Sequence, residues 1–370
     1  MRLASFNVEN LFDRAKAMNS EDWSDGKAVL EKFAQLNALL GELTYSAADK
    51  AKIAALMIDL GLEKSDQGPF ILMRRNRGGL IKRPQAGGIQ VVANGRADWV
   101  GSVELRVEPV NEQAMRNTAQ VIRDVGADVL GVVEAESRPV LNEFSRVLLP
   151  AVGGTPYPHV MLIDGNDERG IDVGLMTRDG FPVDMMRSHV DDRDGQGNLI
   201  FSRDCPEYLV VTPSGGRLLL LVNHLKSKGY GGQAASSARR RTQAERITAI
   251  YQQRRAEGHD HIAVIGDFND SPDSQPLDPL LHGTDLKDIS THTHFDDGGF
   301  PGTFGASTAP NKIDYILLSP PLFALTTAGG IWRKGMWPGT HPAKWPKYPE
   351  ITKEAEAASD HGAIWADITL

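Results

Sequence analysis

The residues able to do chemistry in this sequence sit at the ends of apolar runs. Asn7 closes Leu3–Phe6, and Glu134 closes Val129–Val133. Asn223 and His224 follow Leu218–Val222, and Asp267 and Asn269 follow Ile262–Ile265. Asp314 lies in the run from Ile313 to Leu318, and Asp360 and His361 immediately precede Ala363–Ile368. Carboxylates and amide oxygens are hard donors that suit Mg²⁺, with Mn²⁺ or Ca²⁺ as substitutes, rather than zinc. Two histidines beside carboxylates suit proton transfer and stabilisation of charge that develops on a phosphoryl group. Taken singly, an Asp or Asn after a strand is more often a turn former or helix cap. Six such positions with one coherent chemistry argue for a site at strand ends, where ligands gather in α/β proteins.

The elements that must position these groups alternate in type. Further strand-like runs are His159–Ile163, Ile171–Met176, Tyr208–Thr212 and Arg217–Val222. Met115, Ala119, Ile122 and Val125 fall on one helical face, with Gly126 as the stop. Ser137 is placed to cap a helix reaching about Leu149, and Gln233–Glu257 reads as a long basic helix ended by Gly258. Mixed strands and helices favour one large α/β domain over residues 1–370. Residues 26–109 read as an insertion. Ser46-Ala-Ala-Asp49 has the form of a capping box before Ile53, Leu56, Met57 and Leu60, with Gly61 as the stop. Short glycine-punctuated strands follow, up to the alternating Trp99–Val107. Its role as a substrate platform or as structural elaboration stays open at this stage.

Composition narrows the function classes. The 370 residues carry a net charge of −8 and a single cysteine, Cys205, which excludes an internal disulfide and a cysteine-based zinc site. No apolar run is long enough to span a membrane. The N-terminus shows no basic region followed by an apolar stretch and cleavage site, as expected for a cytoplasmic chain or a secreted or periplasmic one whose leader was trimmed. The acidity is uneven. Residues 71–96 and 225–257 each carry +6, so the remainder carries −20. Such stripes are commonly solvated faces, and they also suit a polyanionic substrate. Nucleotide-binding glycine loops, the GxSxG elbow and HExxH are absent, and two calcium-loop lookalikes at Asp192 and Asp267 fail on ligand spacing and turn residues.

Ser5-Phe-Asn-Val-Glu-Asn-Leu-Phe12, the Glu134 strand, Asn223-His-Leu-Lys-Ser-Lys228, Gly266-Asp-Phe-Asn269, Lys312-Ile-Asp314 and Ser359-Asp-His361 together resemble the successive motifs of the endonuclease/exonuclease/phosphatase superfamily. The resemblance runs through the chain except the insertion. It implies a four-layer α/β/β/α sandwich of two packed mixed sheets, and hydrolysis of a phosphate ester by in-line attack of water. It makes Glu134, Asn7 and Asp360 the metal ligands, and His224, Asp267, Asn269, Asp314 and His361 the catalytic set. Asn223, Arg169 (in Glu168-Arg-Gly-Ile-Asp172), Lys226, Arg239 and Arg240 are candidates to contact substrate phosphate. Val133 stands where many members have Gln before the metal Glu, and Asn223 and His224 adjoin where members often have a residue between them. A nuclease acting on DNA or RNA is the first reading. A phosphatase or small-molecule phosphodiesterase is the alternative, and a non-catalytic binding protein the remote one.

Overall fold

In the computed structural model, residues 1–9, 11, 13–18, 23–109, 111–167, 169–228, 232–340 and 343–370 are described. Asn10, Phe12 and Glu168 of the motifs above therefore lie outside the described residues. The chain divides into two compact units, Met1–Phe12 with Val110–Leu370, and Asp13–Pro109.

The first unit is mixed α/β. One seven-stranded sheet joins β1 (Arg2–Asn7), β2 (Val129–Ala135), β3 (His159–Leu162), β4 (Asp172–Thr177), β10 (Phe295–Asp296), β12 (Thr326–Trp332) and β13 (Ala363–Ile368) in the order β10-β12-β13-β1-β2-β4-β3. A six-stranded sheet joins β5 (Val183–Arg187), β6 (Glu207–Val211), β7 (Arg217–His224), β8 (Ile262–Asp267), β9 (Lys287–Asp288) and β11 (Asp314–Leu318) in the order β5-β6-β7-β8-β11-β9. Both sheets are mixed, with β1 parallel to β2, β10 parallel to β12 and β7 parallel to β8 among otherwise antiparallel neighbours. The alternation of strand side chains sorts the core. Leu3, Val133, Val222, Ile265 and Ile316 share one buried cluster contributed by both sheets. Val132 and Leu130 instead join Ile122 and Val125 of α1 (Glu112–Val125), while Leu219, Leu221 and Val264 join Ile247 and Ile250 of α2 (Gln233–Ala256).

The helix ends follow their local chemistry. Asn111 accepts hydrogen bonds from the Gln113 and Ala114 amides at the start of α1, and Gly126 ends it at φ 60°. The helix after Ser137 reaches the expected length through a π-helical turn at Phe144–Leu148.

The second unit has its own core of Phe33, Leu36, Ile53, Met57, Ile71 and Trp99. Its helices Trp23–Leu40 and Ala47–Asp59 pack with the hairpin of Ile71–Gly78 and Trp99–Leu105. Ser46 and Asp49 form the reciprocal capping box. The unit starts at Asp13, earlier than residue 26, because the short strand Asp13–Ala15 pairs with Val107–Pro109 and closes it. Among the described residues, no helix is long and apolar enough to cross a membrane.

The two basic segments look different once folded. In the second unit Arg74 pairs with Glu104, Arg83 with Asp66, and Arg96 lies over Trp99. Along α2, acids from distant parts of the chain meet the arginines: Asp270 meets Arg240, Asp192 meets Arg246 and Glu207 meets Arg254, while the nearby Asp260 meets Arg255. Part of the first +6 run and much of the second is thus internal charge pairing that sequence-local counting misses. Arg240 is the clearest case. It lies on the buried face of α2 at 1% exposure, donating to Asp270 and to the Lys226 carbonyl. Burial removes it from the phosphate-contacting role expected of it. Arg240→Met strands Asp270 with half its charge partners, which costs roughly 3–5 kcal/mol and about 10 °C in Tm. Thermal unfolding checks this, and an unchanged Tm contradicts it.

Candidate active site

The site grows out of the core between the sheets. Counting by twos from buried apolar residues, Leu3 and Ser5 lead to Asn7, Val222 to His224, Ile265 to Asp267, and Ile316 back to Asp314. Polar side chains thus replace apolar ones at the last position on the same faces. Register reinforces this: Asp267 pairs directly with Asp314 and with His224 across the ladders.

Glu134 breaks the alternation, because by parity it belongs on the face of Val132. A bulge corrects this. Asp172 pairs with Ala135 and Val173 with Val133, leaving Glu134 as the extra residue at φ 66°. Bulges of this kind re-aim a side chain. Glu134 Oε1 consequently lies 3.4 Å from Asn7 Nδ2 and 3.6 Å from His224 Nε2. Gly266 does a comparable job on β8. A Cβ there would sit 1.9 Å from the Asn223 carbonyl oxygen, so only glycine lets β8 approach β7 and deliver Asp267.

Asp267 is 2% exposed and sits at the centre. Its Oδ1 accepts from the Asn269 amide at 2.8 Å, and its Oδ2 accepts from Asn7 Nδ2 and Asn269 Nδ2, both at 3.2 Å. Asn269 reaches this geometry at φ 54°, in the left-handed region that Asn tolerates. Burial, and then the charge of Asp314, push the Asp267 carboxyl up to about 7. His361 Nδ1 donates to Asp314 Oδ2 at 2.8 Å, and its Nε2 lies 3.6 Å from Asp360 Oδ1 and 4.0 Å from Asp267 Oδ2. Burial works against a charged His361, yet Asp314 and Asp360 outweigh it and hold its pKa well above the ordinary value. His224 goes the other way. Burial, then the fields of Arg203 and Arg169, hold it well below the ordinary value. Its Nε2 stands 3.6 Å from both Glu134 and Asp267, and its Nδ1 has no hydrogen-bond partner among the described residues.

The structure therefore brings together Asn7, Glu134, His224, Asp267, Asn269, Asp314, Asp360 and His361. Asn7 turns Nδ2 toward the carboxylates, while its Oδ1 accepts from the Glu9 amide at 3.0 Å, so it presents a donor where a ligand oxygen was expected. Asn223 is not part of the group. As the neighbour of His224 it faces the α2 side, where its amide donates to the Leu221 carbonyl. Arg169 is held by Asp167 through contacts of 2.6 and 2.9 Å. Asp172 accepts from the Gly165 amide.

Several contributors carry no role that their sequence position announces. Thr303 Oγ1 accepts from the Ile313 and Asp314 amides and fixes the start of β11. Ser359 donates to the Asn7 carbonyl and accepts from the His361 amide, joining the two ends of the chain. Arg203, 1% exposed, feels the charges of Glu134 and Asp267. The late aromatic residues pin their loop. Trp332 donates to the Tyr348 hydroxyl, which donates to Asp124, and Trp345 packs edge-on to Phe300.

The donor set fits a hard cation. Asp267, Asp314 and Asp360 lie around His361 while Glu134 lies beside His224, and ligand atoms of Asp267, Asp314 and His361 lie within 4.8 Å of one another. With His361 occupied by Asp314, the oxygens of Glu134 and Asp267 are the donors best placed for a metal ion.

The profile described as the Endonuclease/Exonuclease/phosphatase family matches residues 108–361. A search of curated proteins returns no match. Among solved structures, the fold resembles a mannosyl-6-phosphatase of Bacteroides thetaiotaomicron VPI-5482, with 16% identity, TM-score 0.51, and 70% of this chain and 92% of that chain covered. It also resembles an endonuclease/exonuclease/phosphatase family protein from Bacteroides thetaiotaomicron, with 18% identity, TM-score 0.51, and 69% and 86% covered. The profile match spans most of the chain and ends on the histidine of the buried pair, and with it the chain belongs to the endonuclease/exonuclease/phosphatase family, whose members are hydrolytic phosphoesterases.

Proposed function

We propose that this chain is a metal-dependent phosphodiesterase, most simply a nuclease acting on DNA or RNA, with Mg²⁺ as its ion and Mn²⁺ or Ca²⁺ as substitutes. The observation that carries this is the pair of histidines held in opposite charge states on either side of Asp267. One presents a fixed positive donor and the other a neutral imidazole, as a reaction that gathers charge on phosphate and hands over a proton requires.

Water attacks phosphorus in line with the leaving oxygen. Asp267, held on both oxygens by Asn7 and Asn269, orients that water and takes its proton. His361 Nε2 donates to a non-bridging oxygen as the P–O bond to water forms and the ester P–O bond breaks. Asp314 keeps His361 protonated and fixes its ring. His224, a neutral imidazole with Nε2 3.6 Å from both Asp267 and Glu134, accepts that proton from Asp267 and passes it to the departing oxygen. Glu134, with Asp267 and the more exposed Asp360, would hold the metal ion, whose charge offsets that of the phosphate and the leaving group.

A substrate panel tests the reading. Single- and double-stranded DNA, RNA, a generic phosphodiester and a phosphomonoester are incubated with Mg²⁺, Mn²⁺, Ca²⁺ or chelator. Cleavage of diesters with Mg²⁺, lost in chelator and falling steeply with salt for nucleic acid, is the expected outcome. Good turnover of the monoester with weak salt dependence makes the protein a phosphatase at the same residues. No hydrolysis under any condition leaves only a binding protein.

A further inference from the structure

Three segments emerge from one edge of the seven-stranded sheet, beside His361. β10 runs parallel to β12, while β13 runs antiparallel to it with Ala363 opposite Trp332. The chain after Asp296, Arg333 after β12 and His361 before β13 therefore leave the sheet together. Arg333 is 7% exposed and turns its guanidinium into the β10–β11 connection. Its Nη1 donates to the Asp297 carbonyl at 2.7 Å, its Nη2 to the Phe300 and Gly302 carbonyls, and its Nε to the Ser307 hydroxyl at 3.2 Å. The rings of Phe300 and Trp345 lie 6.0 and 5.9 Å from it. Burial pushes its pKa down to about 10, which Asp297 and Asp296 oppose, so it stays charged near neutrality.

The turn that Arg333 holds is tightly specified. The Gly302 amide donates to the Ser307 carbonyl at 3.0 Å, and the Ser307 amide to the Phe304 carbonyl at 2.9 Å. A Cβ at Gly302 would lie 2.3 Å from the Thr308 carbonyl oxygen, so the chain closes on itself there. Ser307 is fully buried at φ 53°, in the left-handed region, a conformation that persists only where the surroundings impose it. Arg333 grips both ends of this turn, Gly302 and Ser307.

The turn in turn grips both members of the buried pair. Thr303 Oγ1 accepts from the Asp314 amide at 3.0 Å, on the six-stranded sheet. On the other sheet, the Thr303 carbonyl accepts from the Gly362 amide at 2.7 Å, and the Gly305 amide donates to the Asp360 carbonyl at 2.8 Å. Phe304 lays its ring against the His361 imidazole, with centroids 4.9 Å apart. The 2.8 Å bond from His361 Nδ1 to Asp314 Oδ2 joins the two sheets, so its geometry depends on what spans them. Thr303 spans them with one residue. We propose that Arg333 is a positioning residue for the pair of Asp314 and His361, acting through the turn 302–307. A buried arginine on carbonyls commonly serves its own loop alone; this loop ends on the pair. Arginine suits the task because its planar fork reaches several acceptors in fixed directions, which an ammonium on a flexible stem does not. The consequence for turnover rests on the phosphoesterase reading, whereas the consequence for the geometry of the pair does not.

Arg333→Lys and Ser307→Ala test this, the first loosening both ends of the turn and the second removing a single contact. Each is measured for kcat and KM on a diester, alone and combined with His361→Gln. Misplacing a reacting group by about 1 Å costs on the order of 10²-fold, so Arg333→Lys lowers kcat by about 10–100-fold with KM changed less than about twofold. Ser307→Ala lowers kcat less, and decides by the same comparison should Arg333→Lys not fold. Combined with His361→Gln, neither change lowers kcat further, because the group being positioned is gone. An equal loss in both backgrounds, a rise in KM alone, or an unchanged kcat overturns the proposal. A second readout needs no turnover. The Nδ1 proton of His361, bonded to Asp314, gives a downfield NMR resonance assigned by its loss in His361→Gln. In Arg333→Lys it shifts or broadens while the rest of the spectrum stays. That change in a protein that hydrolyses no ester supports the positioning role and refutes the phosphoesterase reading alone. An unmoved resonance in a protein that cleaves esters overturns the positioning role and leaves the phosphoesterase reading standing.

Discussion

His361→Gln loses turnover by about 10²–10³-fold in saturating divalent cation, with the fold intact, the usual effect of removing one preorganised donor from a developing oxyanion. Glutamine preserves volume and a donor but not the charge. The imidazolium exists because Asp314, 2.8 Å away, outweighs the burial that opposes it. Asp314→Asn therefore makes a separate statement. It lowers the His361 pKa toward the value burial dictates, so activity that needs the protonated ring disappears at a lower pH than in the wild type. The sign follows from a raised native pKa: the charged form, and the stability it contributes, persist below the ordinary histidine value and are lost as pH rises through the native one. The descending limb of a kcat–pH profile reads this directly. A limb that stays in place in Asp314→Asn, or a His361→Gln enzyme near wild-type rate, would falsify the assignment.

Glu134→Gln removes a metal-ligand charge and loses turnover by about 10³-fold, because an ion that neutralises phosphate charge supplies several kcal/mol and each 1.4 kcal/mol is tenfold. Raising the metal concentration does not restore it. Glu134→Gly adds an internal control on the same residue. At φ 66° a side-chain-bearing residue stores roughly 1–2 kcal/mol that glycine does not. The glycine variant is therefore as inactive as Glu134→Gln, while its Tm stays at or above that of the wild type. A large fall in Tm would mean that Glu134 serves the fold instead of the reaction. Metal-dependent activity comparable to the wild type in either variant would remove Glu134 from the site.

How much of this was legible beforehand depended on distance along the chain. Strand-end residues were readable because the apolar runs before them fix both element and direction. Parity was readable too: the adjacency of Asn223 and His224 already places them on opposite faces, and the structure puts them there. The bulge at Glu134 was not, since nothing in Val-Val-Glu-Ala announces an extra residue against Asp172 and Val173. Nor were long-range charge pairs. Arg240 and Asp270 are 30 residues apart, and a local count reads the first as a free cation when the second neutralises it in the interior. Arg203 escaped notice for the converse reason. A lone arginine between loops has no pattern until Asp167 and Arg169 are folded against it.

The pairing of Asp13 with Pro109 has a consequence for the history of the chain. Paired residues in neighbouring antiparallel strands lie about 5 Å apart, a gap that one or two residues span. A segment bounded in this way is a cassette. It can be gained or lost in a single genetic event, because its two ends already stand where a short turn would stand. No strand of either large sheet would have to change register to accommodate the exchange.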